Sequence, residues 1–356
     1  MPPKKPITLS KAPVTIPGLF FALKSPITLT LVIFYDIFRS CMSKKLPNNS
    51  NQPLVSVLIP VYNGTEFLDE AIQSVLNSSY TNFEIILVDD GSTDKSRQKC
   101  LEYAEKYSNI HYYGFRKNRG MTRCLNFGVK KANGKYIARI NQDDIMVKDR
   151  LEKQVAFLET HPEHVVVGGT IQLFTNTEAK FDIIRFPLTD KAIRKQWMIL
   201  SPYSDPTVMY LKSAWEQTEG YSQYFWPADD VHMWYQLGSV GKMANLPSIM
   251  TKVRWHDHCG SIKSHHRQMQ KTWAVHEWAA EMIQQPTWFE KTFWVAQVVA
   301  GLLFPAQFNW WVYRILRKIQ NHLFMSYLKQ NLLTIKKYTF RYRLNLNKAF
   351  SFAHSQ

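Results

Sequence analysis

Residues 55–140 alternate between short apolar segments and segments with helical periodicity, and this alternation limits the possible folds more than any other feature. The stretches LVSVLIPVYN and FEIILVDDGSTD are strand-like, and each is followed by apolar residues at helical spacing. Val57 and Ile86 are 29 residues apart, close to the roughly 30 residues of one βαβ unit. The sequence therefore predicts an α/β fold with a mostly parallel sheet covered by helices.

Two of the predicted strands run into adjacent aspartates. Asp89 and Asp90 follow one strand, and Asp143 and Asp144 follow another. Ligands of such sheets bind beyond the carboxyl ends of the strands, and carboxylates this close raise each other's pKa unless a cation or a donor is present. Oxygen ligands of this kind suit Mg²⁺ or Mn²⁺ bridging to nucleotide phosphates. The alternative is that DDGSTD is merely a turn that caps the next helix.

From about Val55 to Ile262 the chain resembles the family 2 glycosyltransferases of GT-A fold. Five segments match that family's motifs in order, namely VSVLIPVYNG, ILVDDGSTD, KNRGMTRCLNFGVKKANGKYIARINQDDI, EGYSQYFWPADDVHMWYQL and VRWHDHCGSIKS. The resemblance implies a Rossmann-like GT-A sheet, a nucleotide-sugar donor and transfer with inversion. It also implies a role in bacterial surface polysaccharide or lipopolysaccharide assembly.

The resemblance also implies which residues bind the nucleotide, namely Pro60, Tyr62, Asn63, Asp89, Asp90 and Arg123. Tyr62 would stack on the base. Asp89 and Asp90 would accept hydrogen bonds from uracil and ribose, so we expect a UDP-linked donor. Arg123 would approach the sugar or the phosphates, and a solvated helix residue is the equal alternative.

By the same resemblance, the metal ligands are Asp143, Asp144 and His256, and the metal is Mg²⁺ or Mn²⁺. Asn141 departs from the family, which has an aspartate there. An amide keeps an oxygen acceptor but loses a charge, so we expect weaker metal affinity with unchanged geometry. Arg254 and His256 would also be near the diphosphate. The alternative is a zinc site in a cluster of four histidines, His256, His258, His265 and His266, although finger spacing is absent.

The segment PADDVHMW carries the expected catalytic base. Asp230 aligns with the base of the family, and Asp229 stands where a glutamate is usual. Two adjacent carboxyl groups can separate their pKa values, which leaves one able to accept a proton near neutral pH. The alternative is an acidic helix start stabilised by the helix dipole. Trp226 is a candidate acceptor wall, Trp234 is expected in the core, and Asp205 is a further candidate for acceptor contact.

The formal charge of +16 is concentrated in the two flanks. Lys and Arg outnumber Asp and Glu by 7 to 1 in residues 1–46 and by 14 to 4 in residues 254–356, whereas residues 47–253 hold 23 of each. Both flanks are also apolar and aromatic, which suits an anionic membrane surface better than nucleic acid. A nucleic-acid binder using the basic C-terminus remains a competing hypothesis, and its affinity would fall steeply with salt.

Thr292–Tyr313 contains 22 residues without a formal charge, enough for a membrane-spanning candidate. A span would place the nine Lys and Arg of residues 314–356 opposite the catalytic side, against the positive-inside tendency. An interfacial helix avoids this conflict, and an ordinary helical subdomain is the alternative. Residues suited to headgroups and anionic lipids are Trp294, Trp310, Trp311, Tyr313, Arg314, Arg317, Lys318, Lys336, Lys337, Arg341 and Arg343.

Three regions are therefore expected. Residues 1–50 form a basic and apolar extension with a linker, residues 51–265 form the GT-A catalytic domain, and residues 266–356 form a helical, basic and aromatic region. The four cysteines are widely spaced, which is typical of a reducing cytosol.

The leading hypothesis is a metal-dependent inverting glycosyltransferase that uses a glycan or lipid-linked acceptor. It would be cytoplasmic and peripheral on the inner face of the cell membrane, with no nucleic-acid partner. The competing hypothesis from another class is a catalytically inactive sugar-nucleotide binder that serves as a membrane partner, because Asn141 and Asp229 both depart from the family pattern.

Overall fold

The computed structural model describes residues 52–177, 182–256 and 264–319, and all statements on structure refer to these. The strands are β1 (Val55–Val61), β2 (Phe83–Asp89), β3 (Ile110–Gly114), β4 (Tyr136–Arg139), β5 (Ile145–Met146), β6 (His164–Phe174), β7 (Asp182–Ile184), β8 (Met209–Leu211) and β9 (Lys242–Arg254). The α-helices are α1 (Leu68–Leu76), α2 (Ser96–Lys106), α3 (Met121–Lys131), α4 (Arg150–Thr160), α5 (Asp190–Arg194), α6 (Lys212–Trp215), α7 (Asp229–Val240), α8 (His265–Met282) and α9 (Trp288–Leu303). Residues 306–319 are also helical, and Asp205–Thr207 form a 3₁₀ turn.

The nine strands form one sheet in the order β3, β2, β1, β4, β8, β6, β9, β5, with β7 paired to β6. The first four strands are parallel, and Val57 lies opposite Ile85 on one side and Ala138 on the other. Each is joined to the next by a helix, as the alternation in the sequence predicts. The α/β fold of GT-A type with a Rossmann-like parallel half is thereby confirmed.

The second half of the sheet is mixed. β8 runs antiparallel to both β4 and β6, β5 runs antiparallel to β9, and β6 and β9 are parallel. The sequence does not show this half as clearly, because β5, β7 and β8 have only two or three residues each and are too short for a readable period. The mixed half connects the parallel strands to β9, which ends at Arg254.

Three strands of the parallel half, β1, β2 and β4, are buried on both faces, whereas the edge strand β3 is mostly half-buried. Every residue of β1 except Pro60, and every residue of β2, is buried, as expected for strands between two helical layers. Helix α3 lies close to the sheet because it carries Gly128, where an added Cβ would collide with the side chain of Leu58. The close approach fixes the start of α3 next to the ends of β1 and β2.

The C-terminal helices α8 and α9 share the core of the catalytic sheet. Val275, Ala279 and Trp294 belong to the same buried cluster as Leu58. The indole of Trp294 is 4% exposed, stacks on His276 with 4.8 Å between ring centroids, and donates a hydrogen bond to a backbone carbonyl. The expectation that Trp294 faces lipid headgroups is therefore wrong.

The segment Thr292–Tyr313 does not form one continuous helix. Helix α9 ends at Leu303, Phe304 has extended backbone angles, and helix resumes only after Pro305, because proline cannot continue a hydrogen-bonded helix. Within the described residues, no helix has both the length and the apolar character to cross a membrane.

Several residues of this segment that were expected at a lipid surface pack on the protein instead. Trp310 stacks on Trp255 with 4.6 Å between centroids, and Arg317 is buried with its guanidinium donating to the Ser201 carbonyl at 2.6 Å. Arg314 pairs with Asp182 at 2.8 Å. The expectation of lipid contact is wrong for Arg317, which is buried, whereas Trp310 and Arg314 are partly exposed and have protein partners. Trp311 is exposed, and Lys336, Lys337, Arg341 and Arg343 lie outside the described residues, as do residues 1–51.

Candidate active site

A cleft of about 1460 Å³ opens at the carboxyl ends of β1, β2 and β4. The start of α3, the segment before α7 and the start of α8 also line it. Nine of the eleven predicted site residues lie on its wall, namely Pro60, Tyr62, Asn63, Asp90, Arg123, Asp143, Asp229, Asp230 and His256. Asp89 and Asp144 do not, so the structure brings most, but not all, of the predicted site together.

The turn after β1 presents Tyr62 to the cleft. Asn63 has a left-handed φ of 48°, which asparagine tolerates better than most residues, and its Oδ1 accepts a hydrogen bond from the Thr93 amide at 2.8 Å. Gln142 holds Tyr62 at both backbone atoms, because its Oε1 accepts from the Tyr62 amide at 2.8 Å and its Nε2 donates to the Tyr62 carbonyl at 3.0 Å. The Tyr62 side chain is 44% exposed and available for stacking.

Gln142 was missed by the sequence analysis, although it lies between Asn141 and Asp143. It couples the turn after β1 to the loop after β4, 80 residues away in the chain. Gly64 leaves the space for it, because a Cβ there would collide with the Gln142 amide group.

Asp89 and Asp90 at the end of β2 have different surroundings. Asp89 is fully buried and accepts a hydrogen bond from Arg97 Nε at 3.1 Å. Asp90 lines the cleft and accepts from the backbone amides of Arg119 at 2.6 Å and Gly120 at 2.9 Å. Gly120 has φ of +94°, a conformation that glycine adopts without strain. Asp89 thus supports the loop, whereas Asp90 borders the cleft.

Three cations lie near Asp90. Arg123 is exposed in the first turn of α3 and lines the cleft, together with Lys117 and Arg119. The sequence analysis did not assign Lys117 or Arg119, although the basic run KNRG before α3 was a usable signal. Cationic side chains at the edge of a cleft can bind phosphate groups.

Asp143 and Asp144 differ in burial. Asp144 is buried, and its two oxygens accept from the Arg254 amide at 3.0 Å and from Asn141 Nδ2 at 3.0 Å. Burial, and then the charge of Asp143, raises the pKa of Asp144 well above its usual range. Asp143 remains at the cleft, with its Oδ2 3.1 Å from His256 Nε2. Of the three predicted metal ligands, Asp143 and His256 line the cleft.

The side chain of Arg254 connects several loops around the cleft. Its Nε donates to the Asp143 carbonyl at 3.1 Å, its Nη1 donates to Asn176 Oδ1 at 2.6 Å, and its Nη2 pairs with Glu70. Its guanidinium also lies 4.5 Å from the ring centroids of two aromatic residues, Phe67 and Phe174. Arg254 therefore positions the cleft wall from behind, and His256 is the member of this stretch that lines the cleft.

Helix α7 begins with Asp229 and Asp230, at the positive end of the helix dipole. Thr122 Oγ1 donates to Asp229 Oδ2 at 2.6 Å and so ties α3 to α7. Burial raises the pKa of Asp229 to about 6. Burial, followed by the charges of Asp205 and Asp229, raises the pKa of Asp230 to about 8. Asp230 can therefore exchange a proton near neutral pH.

Asp205 is a third carboxylate on the cleft wall. Its Oδ2 accepts from Arg139 Nη2 at 2.5 Å, and Arg139 is fully buried and also donates to Asn141 Oδ1 at 3.1 Å. The other carboxylate oxygen of Asp205, Oδ1, is buried and makes no hydrogen bond within the described residues. The pair balances part of the negative charge around Asp230.

The remaining residues singled out in the sequence lie in different parts of the structure. Trp226 lines the cleft, and Trp234 is 1% exposed, which confirms the expectation of a core residue. His258 lies outside the described residues, and His265 contacts Asn309 with 2.9 Å between nitrogens. Across residues 52–177, 182–256 and 264–319, no group of three or more His, Cys, Asp or Glu is arranged to hold a metal.

Comparison with known proteins identifies the family. Residues 56–218 match the family model described as "Glycosyl transferase family 2". The chain is 34% identical over 206 residues to the Bacillus subtilis protein named as a glycosyltransferase, EpsE, covering 57% of this chain and 73% of EpsE. It is 28% identical over 204 residues to the amylovoran biosynthesis glycosyltransferase AmsE of Erwinia amylovora, covering 56% and 76%.

A solved structure supports the fold independently. The structure of S. aureus TarS residues 1–349 in complex with UDP-GlcNAc superposes with a TM-score of 0.52 at 18% identity, covering 69% of this chain and 72% of that one. The identity with EpsE and its coverage are high enough to decide membership. The chain therefore belongs to glycosyl transferase family 2.

Proposed function

We propose that the protein transfers a sugar from a UDP-sugar to an acceptor hydroxyl with inversion, and that Asp230 is the base. The observation that supports this most is that one cleft holds Asp230 together with Tyr62, Asp90 and Asp143. A stacking ring, a hydrogen-bond acceptor and a metal ligand are the groups needed to hold a nucleotide diphosphate. Asp230 adds the proton acceptor.

The base acts on the acceptor. The Asp230 carboxylate takes the proton of the acceptor hydroxyl while that oxygen bonds to the anomeric carbon and the bond to the diphosphate breaks on the opposite side. The raised pKa of Asp230 matches this task, because a base is most effective when its pKa lies near the working pH. Burial, followed by the negative charges of Asp205 and Asp229, keeps this pKa raised.

The donor would lie along the wall from Tyr62 to Asp143. Tyr62 stacks on the base, Asp90 accepts from it or from the ribose, and Lys117 and Arg123 approach the phosphates. TarS was solved with UDP-GlcNAc, which supports a UDP-linked donor.

The fit of a divalent cation rests on Asp143 and His256. These two groups line the cleft, whereas both oxygens of Asp144 are hydrogen-bonded inside the protein. One or two carboxylates plus substrate phosphates is a usual coordination for Mg²⁺, so the Asp143 carboxylate is the proposed main ligand. His256 is proposed as a further ligand beside it, with Asp144 and Asn141 supporting the loop. When bound, the cation would neutralise charge on the leaving diphosphate.

The first test is calorimetric titration of the full chain with UDP, GDP and CMP, with and without Mn²⁺. We expect UDP to bind only with Mn²⁺, and Asp143→Ala to abolish this binding. Asp149→Ala is the matched control, because Asp149 lies outside the cleft wall and pairs with Lys153. If no nucleotide binds under any metal condition, the proposal is wrong.

A second variant distinguishes an active enzyme from an inactive sugar-nucleotide binder. The inactive binder is favoured by one observation, the internal hydrogen bonds of both Asp144 oxygens. Asp230→Asn should retain UDP binding and lose UDP release from a panel of UDP-sugars. Equal UDP release by the variant and the unmodified protein would remove Asp230 as the base. No release by either would support the inactive binder.

We further propose a glycan or lipid-linked acceptor and a peripheral location on the inner face of the cell membrane. Helix α9 and the residues after it expose a series of large apolar side chains, Trp288, Phe289, Val295, Val299, Leu303, Phe304, Phe308 and Trp311. The only acidic residue among residues 288–319 is Glu290, which is buried in the capping box of α9. Such a surface suits the headgroup region of an anionic membrane. AmsE is named for amylovoran biosynthesis, which supports a role in surface glycan assembly.

A further inference from the structure

Two cation–aromatic pairs lie side by side at the edge of the cleft. The Arg267 guanidinium is 4.6 Å from the centroid of the Trp226 ring, and the Lys271 ammonium is 3.9 Å from the centroid of the Tyr224 ring. Arg267 and Lys271 are four residues apart on α8 and therefore share a face of that helix. We call these four side chains the rim cluster.

The cationic groups of the rim cluster keep their donors available. Within the described residues, neither Arg267 nor Lys271 makes a hydrogen bond or an ion pair, and the cationic group of each lies over an aromatic ring. A ring face holds a cation by electrostatic attraction to its π system without using the N–H groups. From residue 264 to residue 276 and from residue 220 to residue 228, the chain contains no Asp or Glu.

The rim cluster leads outward from the proposed base. Trp226 and Arg267 line the same cleft as Asp230. Tyr224 and Lys271 lie outside that wall, and Tyr224 is 67% exposed. An acceptor whose hydroxyl reaches Asp230 would place its next unit along this row.

We propose that the rim cluster binds an acceptor glycan that carries an anionic group, a phosphate or a carboxylate, next to the hydroxyl that is glycosylated. This rests on the proposed function for the direction of the acceptor. The rings of Trp226 and Tyr224 stack on sugar faces, and Arg267 and Lys271 bind the anion through N–H groups that have no hydrogen-bond partner among the described residues. The fork of the Arg267 guanidinium suits both phosphate and carboxylate.

The donor diphosphate is a competing ligand for these cations. Three other cations line the cleft in or just after the loop that binds Asp90, namely Lys117, Arg119 and Arg123. Lys271 is outside the cleft wall. The UDP affinity of variants at Arg267 and Lys271 therefore distinguishes binding of an acceptor anion from binding of the donor diphosphate.

The test uses ¹⁹F NMR of the full chain labelled with 5-fluorotryptophan, with Trp226→Phe assigning the Trp226 signal. The probes are methyl glucoside, glucuronate, glucose 6-phosphate and geranyl diphosphate. We expect at least one anionic probe to shift the Trp226 signal at a concentration about tenfold or more below that needed by methyl glucoside. The anionic probe that acts most strongly tells a carboxylate, a sugar phosphate and a lipid-type diphosphate apart.

The variant is Arg267→Gln combined with Lys271→Gln, and the matched control is Lys291→Gln, an exposed lysine on α9. The double variant should remove the advantage of the anionic probes while leaving UDP affinity unchanged, and the control should change neither. Equal binding of methyl glucoside and the anionic probes, or no shift with any probe, would overturn the proposal. A loss of UDP affinity in the double variant would overturn it by assigning the cations to the donor.

The two proposals fail differently. Anionic probes that shift Trp226 in a protein that binds no nucleotide would leave the rim cluster standing and remove the proposed donor site. Nucleotide binding without any response at Trp226 would do the reverse.

Discussion

Asn141 bridges a buried cation and a buried carboxylate. Its Nδ2 donates to Asp144 Oδ2 at 3.0 Å, and its Oδ1 accepts from Arg139 Nη2 at 3.1 Å. An ionised aspartate at position 141, where the family usually has aspartate, could accept a hydrogen bond from Arg139 but could not donate one to Asp144. The asparagine therefore belongs to a hydrogen-bond network in which Asp144 supports the loop.

Asn141→Asp should destabilise the protein. The change removes a buried hydrogen bond and places two carboxylates together, so we expect a loss of about 1–3 kcal/mol in the free energy of unfolding. Urea denaturation at pH 7 without metal measures it. The double variant Asn141→Asp, Asp144→Asn exchanges donor and acceptor and should recover much of the loss. Full stability of the single variant would contradict the bridging role.

The pKa of Asp230 predicts how stability changes with pH. In the folded state this pKa is about 8, against 3.8 for an ordinary aspartate, so between about pH 4 and pH 8 the folded chain holds a proton that the unfolded chain has released. Stability from this group therefore falls as pH rises through that range, by at most about 1.4 kcal/mol per pH unit. Asp230→Asn should be more stable than the unmodified protein at pH 8.

The measurement is urea denaturation of both proteins at pH 5, 6.5 and 8. Asp229, whose pKa is raised to about 6, contributes with the same sign in both, so the difference between the two proteins reports mainly on Asp230. A difference that stays constant across the three pH values would show that Asp230 is not held protonated by its surroundings.

The packing of α9 on the sheet core predicts a contrast between two tryptophans. Trp294 is 4% exposed and Trp288 is 80% exposed, and both are on α9. Trp294→Ala should cost about 3–5 kcal/mol, as expected for a buried aromatic side chain, whereas Trp288→Ala should change stability by less than about 0.5 kcal/mol. Chemical denaturation measures both. Similar losses for the two variants would contradict the assignment of α9 to the core.

The exposed apolar face of α9 predicts binding to lipid. The full chain should float with vesicles containing phosphatidylglycerol, and part of the binding should persist in 1 M NaCl, where charge attraction is screened. Replacing Val295, Val299 and Leu303 by Ser should weaken the salt-resistant part by about tenfold or more. Leu101→Ser, on the exposed side of α2, is the control. Unchanged flotation of the triple variant would show that another part of the chain binds lipid.

The parallel half of the sheet was predictable because its strands are apolar runs separated by segments with helical periodicity. The positions of Asp90 and Asp143 at the cleft followed from the rule that strand ends meet at one edge. The burial of Asp144 did not, because it depends on Arg254, 110 residues later in the chain. The pair of Arg139 with Asp205 spans 66 residues and gives no local signal.

The C-terminal helices show a different limit of sequence reasoning. A segment rich in tryptophan and arginine is compatible both with a lipid interface and with a core that uses the same side chains, since each needs apolar rings with polar edges. Only the partners decide, as in the stacking of Trp294 on His276. The exposed residues of the same helix still present an apolar surface.

The side chain of Arg254 connects two separate parts of the cleft wall. It packs on Phe67 and pairs with Glu70, close in sequence to the turn after β1, and it donates a hydrogen bond to the Asp143 carbonyl after β4. The separation of these two parts of the wall therefore depends on the length and planarity of one side chain. Lysine at this position would keep the positive charge but lose the planar, forked set of N–H donors, so it could not hold both parts of the wall at once.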